Sequence, residues 1–345
     1  MVQAAFVTTI ALASLLSSAA PPAAQPLFDA MPYDAWRVVG GAASFELVPP
    51  ANGGAGPVLV GRGPIPRNGF LTSPRELGDF RLKVDVRIGS PDDPKGEKMN
   101  SGIQIRSRER DGRIVGLQVE VDPSPRAWSA GIYDEGGRLW LAPLDGNEAA
   151  RVAFRRGEWN TYEIEAIGPR IRTTLNGVRA AEWYDGATAG RLAFQVHGGP
   201  ACEVAFRAPV LEELGTHAWQ ALASAGAPAR SGEAPRFRAA LDASARGVRM
   251  RIAGEGRVAL HAGDASIAEV SIAAPIAPAP SSKDAKPATD DARLVEFVWI
   301  DGAGAALLDG RKVADLRCAS APTAVRVDGA ACRVTDAEQL AQSPR

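Results

Sequence analysis

Cysteine, histidine and lysine are all sparse in this chain. Its 345 residues include three cysteines and three histidines, and lysine is rare beside arginine. The cysteines are Cys202, Cys318 and Cys332, and their spacing suits no zinc site. Cys318 and Cys332 can pair in an oxidising compartment and leave Cys202 single; the other reading makes all three small buried residues. Charge of one sign is missing too. The net charge of -1 argues against a nucleic acid or an anionic membrane held by bulk charge. Alanine and arginine abound while lysine does not, which fits a GC-rich bacterial coding bias. The apolar run Ala4 to Leu16 is too short for a membrane span. It has the length of a signal-peptide core and is followed by Ser17, Ser18, Ala19 and Ala20, so residues 1–24 are expected to be a secretory signal, although no Lys or Arg precedes the run. No cysteine follows it at the place a lipoprotein anchor needs. The expected location is therefore secreted or periplasmic.

A long amphipathic helix is also absent from residues 27–214; alternating segments fill that stretch instead. Ser101-Gly102-Ile103-Gln104-Ile105-Arg106 is one. Leu117-Gln118-Val119-Glu120-Val121-Asp122 is the second, and Arg191-Leu192-Ala193-Phe194-Gln195-Val196-His197 is the third. Side chains of a strand alternate between its two faces. If these strands share a sheet, Gln104, Arg106, Gln118, Glu120, Asp122, Gln195 and His197 share a surface. So many hydrogen-bonding groups with so little apolar area suit a sugar, whereas a solvated strand face is usually richer in Lys, Thr and Ser.

The same periodicity organises the chain. Phe80 to Ile88 alternates cleanly, as does Tyr162 to Ala166, and Asn176-Gly177 between extended runs favours a type I′ hairpin. Many strands of this length predict two packed antiparallel sheets over 27–214. Residues 221–235, rich in Ala, Gly, Pro and Ser, read as a linker. Residues 236–340 read as a small β-rich appendage, or as two poorly packed β pieces, interrupted by a disordered Pro/Ala/Ser stretch near 274–291.

Several motifs then occur in a specific order: Leu27-Phe28-Asp29, Gly69-Phe70-Leu71-Thr72-Ser73, Asn100-Ser101-Gly102-Ile103, Gly116 with Gln118 and Glu120, Gly131-Ile132-Tyr133, Leu175-Asn176-Gly177, and Gln195-Val196-His197-Gly198. Together they make residues 27–214 resemble the 3-keto-disaccharide hydrolase family. The resemblance implies an all-β, concanavalin A-like jelly-roll sandwich. It also implies hydrolysis of 3-keto-glycosides and functional pairing with a sugar 3-dehydrogenase that makes the ketone. One departure is the order of the third motif, in which Gln118 precedes Glu120. Another is the stiff stretch Pro123-Ser124-Pro125-Arg126.

A ketone at carbon 3 acidifies the carbon-2 proton and permits β-elimination of the carbon-1 substituent, followed by addition of water. The route needs a base, an acid and donors for the enolate oxygen. His197 is the leading base or acid candidate, since its ordinary pKa lies near working pH. Glu120 is the second, as partner acid or as a clamp on hydroxyls. Arg106 is the candidate for oxyanion stabilisation, or it simply pairs with Glu120. Asn100, Gln104, Gln118, Asp122, Arg138 and Gln195 are the expected substrate-binding polar residues. Tyr133 and Trp140 are candidates to stack on a sugar face, with Trp128 a weaker one; all three could equally be core. No cofactor is expected. Calcium is an option for such folds, with Asp85, Glu120 or Asp122 as oxygen donors. A non-catalytic carbohydrate-binding, laminin-G-like module is the rival reading, because one fold hosts both. A retaining glucanase is disfavoured: Glu120-Val121-Asp122 begins its motif, but Ser124 and Pro125 stand where the second Glu belongs.

Overall fold

The computed structural model describes residues 23–50, 54, 56–90, 93–199, 202–222, 236–272, 292–328 and 333–343. The expected signal segment up to residue 22, residues 223–235 of the expected linker 221–235, the stretch near 274–291 and Cys332, the partner in one reading of Cys318, lie outside the described residues; Ala221 ends a strand. Among the described residues no helix is long and apolar enough to cross a membrane.

The first part is a jelly-roll β-sandwich. Its outer sheet runs in the order Val178–Tyr184, Arg170–Leu175, Asn160–Ile167, Asp79–Gly89, Glu203–Gly215, Val58–Arg62, Ser44–Val48, with Gln25–Pro26 added along Glu203–Gly215. The second sheet, called here the site sheet, runs Leu139–Ala142, Ile132–Glu135, Arg113–Val121, Ser101–Arg110, Gly190–Val196, Gly69–Leu77, Arg37–Gly40. Period-two patterning decides which side each residue takes. Phe80, Leu82, Val84, Val86 and Ile88 are buried between the sheets while Arg81, Lys83 and Arg87 face outward. Ile103, Ile105, Leu117, Val119, Phe194 and Val196 supply the facing layer from the site sheet. The Asn176-Gly177 hairpin has positive φ at both residues, 49° and 82°, as expected of a type I′ turn.

The C-terminal part is a second sandwich with its own core, not two loose pieces. A six-stranded sheet (His217–Ala221, Arg333–Gln342, Gly247–Ala253, Arg293–Ile300, Ala303–Leu308, Arg311–Arg317) packs on a four-stranded one (Arg236–Ala240, Ala324–Asp328, Gly256–Ala262, Ala265–Ile272). Strand His217–Ala221 lies ahead of the linker yet already belongs to this sheet. Strand Arg293–Ile300 is apolar almost throughout, because both of its faces are covered. Val295, Phe297 and Trp299 enter the second core, whereas Val298 and Ile300, with Ala305 and Leu307, join the core of the first sandwich. A Val, Leu or Ile side chain in this set stabilises the junction by about 1.5–3 kcal/mol when fully buried.

Candidate functional site

The site begins with an irregularity in strand Ser101–Arg110. Its register against Arg113–Val121 shifts between Ile105 and Arg108, and Arg106 has a φ of 48°. A bulge of this kind bends a strand and increases its twist. The opposite strand makes room for it: a Cβ at Gly190 would lie 2.3 Å from the Arg106 carbonyl carbon. Beyond the bulge the hairpin curls over the site sheet. Ile114 packs with Val39, Phe70 and Ala193 in a separate small apolar cluster, and Arg37 bonds Glu109. The polar face is therefore an interior. Gln104, Gln118 and Gln195 are at most 2% exposed, where alternation alone predicts an open surface.

Within that interior a chain of hydrogen bonds ends on Glu120. The Ser107 hydroxyl donates to Gln104 Oε1 (2.7 Å), Gln104 Nε2 to Gln118 Oε1 (2.5 Å), and Gln118 Nε2 to Glu120 Oε1 (2.6 Å). Asn100 Nδ2 donates to Glu120 Oε2 at 3.2 Å. Only glycine fits at position 102, since a Cβ there would lie 2.4 Å from Gln118 Cδ. Among the described residues, both side-chain hydrogen-bond partners of Glu120 are neutral amides. Burial, the largest effect, outweighs those two hydrogen bonds; Asp122 adds a like charge, and the carboxyl is pushed up to about 7. Gln195 faces the same side, one strand over. Among the described residues its side-chain oxygen and nitrogen are both buried without a protein partner, as is the Thr72 hydroxyl. Buried polar groups without a partner are costly, so water or another polar group is called for there.

The mouth of this interior is a hollow of about 530 Å³ lined by Asn100, Asp122, Arg126, His197, Gly198 and Cys202 among others. His197 is exposed there, one residue past its strand. Asn100 lines the hollow beside it and donates to Glu120, whose carboxyl lies behind Asn100 and does not itself line the hollow. Burial pushes the Cys202 thiol up to about 11, which keeps it protonated near neutrality. The aromatic candidates gather on the same side. Trp140 meets Trp128 edge-on at 4.6 Å and Tyr133 at 5.3 Å, and the Arg126 guanidinium lies 4.8 Å from the Trp140 ring centre. Trp128 is thus a full member of the group.

Three expected site residues act elsewhere. Arg106 neither shares the face with Glu120 nor pairs with it. The bulge turns its side chain to the far side, where Nη1 donates to the Ala187 carbonyl (2.9 Å) and Nη2 approaches Asp79 (3.5 Å). Arg138 also points away, into the junction with the second sandwich, bonded to Asp134, Asp185 and the Gly310 carbonyl. Asp122 lines the hollow, but its oxygens are taken by its own loop: Oδ1 by Ser124, Oδ2 by Arg126 Nε (2.8 Å) and the Trp128 amide. It shapes the loop that presents Arg126 and Trp128. Asp85, a candidate calcium ligand, sits on the outer sheet held by Thr161 and Arg207. Among the described residues no group of three His, Cys, Asp or Glu side chains is placed to hold a metal ion.

Two residues escaped the sequence reading. Glu135 accepts from Asn68 Nδ2 (3.1 Å), and Asn68 Oδ1 accepts from the Gly198 amide (2.8 Å), which ties Glu135 to the segment that carries His197. Burial raises the Glu135 carboxyl, opposed by Asn68 and by the nearby His197. The signal was present: Glu135 stands two residues after Tyr133 on one strand and so shares its face.

The model of the 3-keto-alpha-glucoside-1,2-lyase-like domain matches residues 23–211. No curated protein matches this chain. Among solved structures, a candidate glycosyl hydrolase from Parabacteroides distasonis is 17% identical, covering 55% of this chain and 94% of its own, with a TM-score of 0.37. The carbohydrate-binding module CBM66 from Bacillus subtilis is 18% identical over 52% of this chain and 96% of its own, with a TM-score of 0.37. A galectin-like-fold protein of unknown function from Bacillus subtilis is 14% identical over 56% and 96%, with a TM-score of 0.38. Similarity at this level assigns neither a substrate nor an activity.

Proposed function

Because the chain belongs to the 3-keto-alpha-glucoside-1,2-lyase-like domain family, we propose that it cleaves 3-keto-glycosides, either a 3-keto-disaccharide or a 3-keto-glucoside. Membership makes its function a carbohydrate-related one; the keto substrate and the residue roles are our inference. The observation that carries them is Glu120, a buried carboxyl pushed up to about 7 and hydrogen-bonded by Asn100, which lines the hollow that exposes His197. An elimination followed by a hydration requires a base and an acid.

In this reading His197 takes the carbon-2 proton. The carbon-1 bond breaks as the enone forms, and protonated Glu120 gives its proton to the departing oxygen. Water then adds at carbon 1 while a proton returns to carbon 2. Gln195 Nε2, buried and without a protein partner, is a donor for the enolate oxygen at carbon 3. Asn100, Gln104 and Gln118 orient the ring hydroxyls and hold Glu120. Tyr133, Trp140 and Trp128 stack on the ring or on the leaving group. The route uses no cofactor. It needs a supplier of the ketone, which makes a sugar 3-dehydrogenase the expected functional partner; the secreted or periplasmic location proposed with it rests on the apolar run Ala4 to Leu16.

Incubation with a 3-keto-glucoside or 3-keto-trehalose beside the unoxidised sugar tests this. Cleavage of the keto form alone is expected. Binding of both without cleavage would replace the enzyme with a lectin-like module, which the amides and aromatic rings would also serve.

A further inference from the structure

The C-terminal sandwich reaches the first one at the turn that carries the aromatic side of the hollow. Residues 136–138 connect strands Ile132–Glu135 and Leu139–Ala142, and this hairpin presents Tyr133, Glu135 and Trp140. It has little hold of its own. Each strand has four residues, the outer one is the edge of the sheet, and their register slips between Trp140 and Ala142. Short hairpins of this kind are marginal unless something packs against them.

Arg138 supplies that hold. Its Nε donates to Asp134 Oδ2 at 2.6 Å within the hairpin, its Nη2 to Asp185 Oδ2 at 2.8 Å in the first sandwich, and its Nη1 to the Gly310 carbonyl at 2.7 Å in the second. Gly310 lies in the two-residue turn between Ala303–Leu308 and Arg311–Arg317, where Asp309 and Gly310 have φ of 49° and 73°. The loop around Asp185 is itself fixed from both sides. Asp185 accepts from Trp183 Nε1 at 3.0 Å, and Gly186 accepts from Trp219 Nε1 of the second sandwich at 2.9 Å. A guanidinium that bonds three acceptors from three segments is a geometric lock.

We propose that the C-terminal sandwich is part of the sugar site, setting the place of the stacking hairpin through the contact between Arg138 and the Gly310 carbonyl. Arg138 is then a positioning residue and touches no substrate. The proposal rests on the reading of the hollow as a sugar site. Stacking on the ring acts on ground state and transition state alike, so its loss raises KM and leaves kcat nearly unchanged.

The test uses the full chain with Arg138→Met, Arg138→Lys and Gly310→Ala. The last lies wholly in the second sandwich: its Cβ would sit 3.2 Å from Arg138 Nη1, at a φ that alanine tolerates poorly. Amide hydrogen exchange is followed over 132–142, with strand Asn160–Ile167 as internal control, and KM and kcat are measured on a 3-keto-glucoside. Arg138→Met and Gly310→Ala should speed exchange over 132–142 and raise KM about fivefold with kcat within about twofold, Arg138→Lys falling between them and wild type. Unchanged exchange over 132–142 overturns the proposal. So does faster exchange with unchanged KM, and so does a uniform loss of protection in both sandwiches. If wild type cleaves no 3-keto-glycoside, the chemistry proposed above fails while the exchange measurement still decides the lock.

Discussion

Gln104 and Arg106 are two residues apart on one strand, and a regular strand would aim them at the same face. They serve two different polar regions instead. Gln104 joins the amide chain that ends on Glu120. Arg106 enters the junction beneath, beside Asp79, which bonds His217 Nδ1 at 2.5 Å. Both regions are buried, and both are rich in ionisable groups. They differ in what the carboxylates meet. In the junction Asp79 bonds His217 and lies near the Arg106 guanidinium, and Asp185 bonds Arg138. At the hollow Glu120 forms no ion pair among the described residues: its side-chain hydrogen bonds come from neutral amides, and Arg126, bonded to Asp122, is the smallest effect on it. A carboxyl that exchanges its proton near neutral pH serves chemistry where a substrate can reach it, and Glu120 is linked through Asn100 to an open hollow.

The largest effect should come from the side of the hollow. Glu120→Gln should lower turnover of a 3-keto-glucoside by about 10³-fold, and His197→Ala by about 10²-fold, with melting temperatures within a few degrees of wild type. Retained activity in both variants would remove the distinction between the two regions. Arg106→Met should do the reverse. It leaves Asp79 with His217 and the Gly168 amide and should cost about 3 kcal/mol in denaturant unfolding, while kcat/KM per folded molecule stays within about threefold. Lost activity in a fully folded Arg106→Met protein would return that arginine to the site.

A pH series sharpens the contrast. The Glu120 carboxyl titrates at about 7 in the fold against an ordinary 4.5, so between these values the native chain holds a proton that the unfolded chain releases. Its contribution to stability is complete below pH 4.5 and is lost as pH rises through 7, on the order of 3 kcal/mol. Glu296, buried at the junction near Asp185 and also raised to about 7, adds a slope of the same sign. Denaturant midpoints at pH 5 and 8.5 should therefore fall with rising pH in wild type and fall less in Glu120→Gln. A slope unaffected by that substitution would place the proton elsewhere. The smallest effect is expected for Trp140→Ala, a rise in KM of about fivefold with kcat nearly held.

Much of this architecture was legible beforehand. Alternation at Phe80 to Ile88 and the Asn176-Gly177 turn gave strands and a hairpin where the structure has them, and the ordered motifs identified the family. What was not legible is long-range. Alternation assumes a regular strand, and nothing local in Ile105-Arg106-Ser107 announces a positive φ; Gly190, over 80 residues later, makes the room for it. The curl that buries the glutamines depends on Ile114 reaching Phe70 and Val39. Arg138 follows two glycines in a turn, and its partners at Asp185 and Gly310 are far away in the chain. Glu135 was within reach, because its spacing from Tyr133 already placed it on the same face.

The proposed elimination removes the proton at carbon 2 of a 3-keto ring. Cleavage of a 3-keto-glucoside in deuterium oxide, followed by NMR against an enzyme-free control, reads that step. Deuterium should appear at carbon 2 of the sugar product as fast as the aglycone is released, and neither event should occur with Glu120→Gln or His197→Ala. Release of the aglycone with the original carbon-2 proton retained would contradict it, since the bond at carbon 1 would then break without elimination.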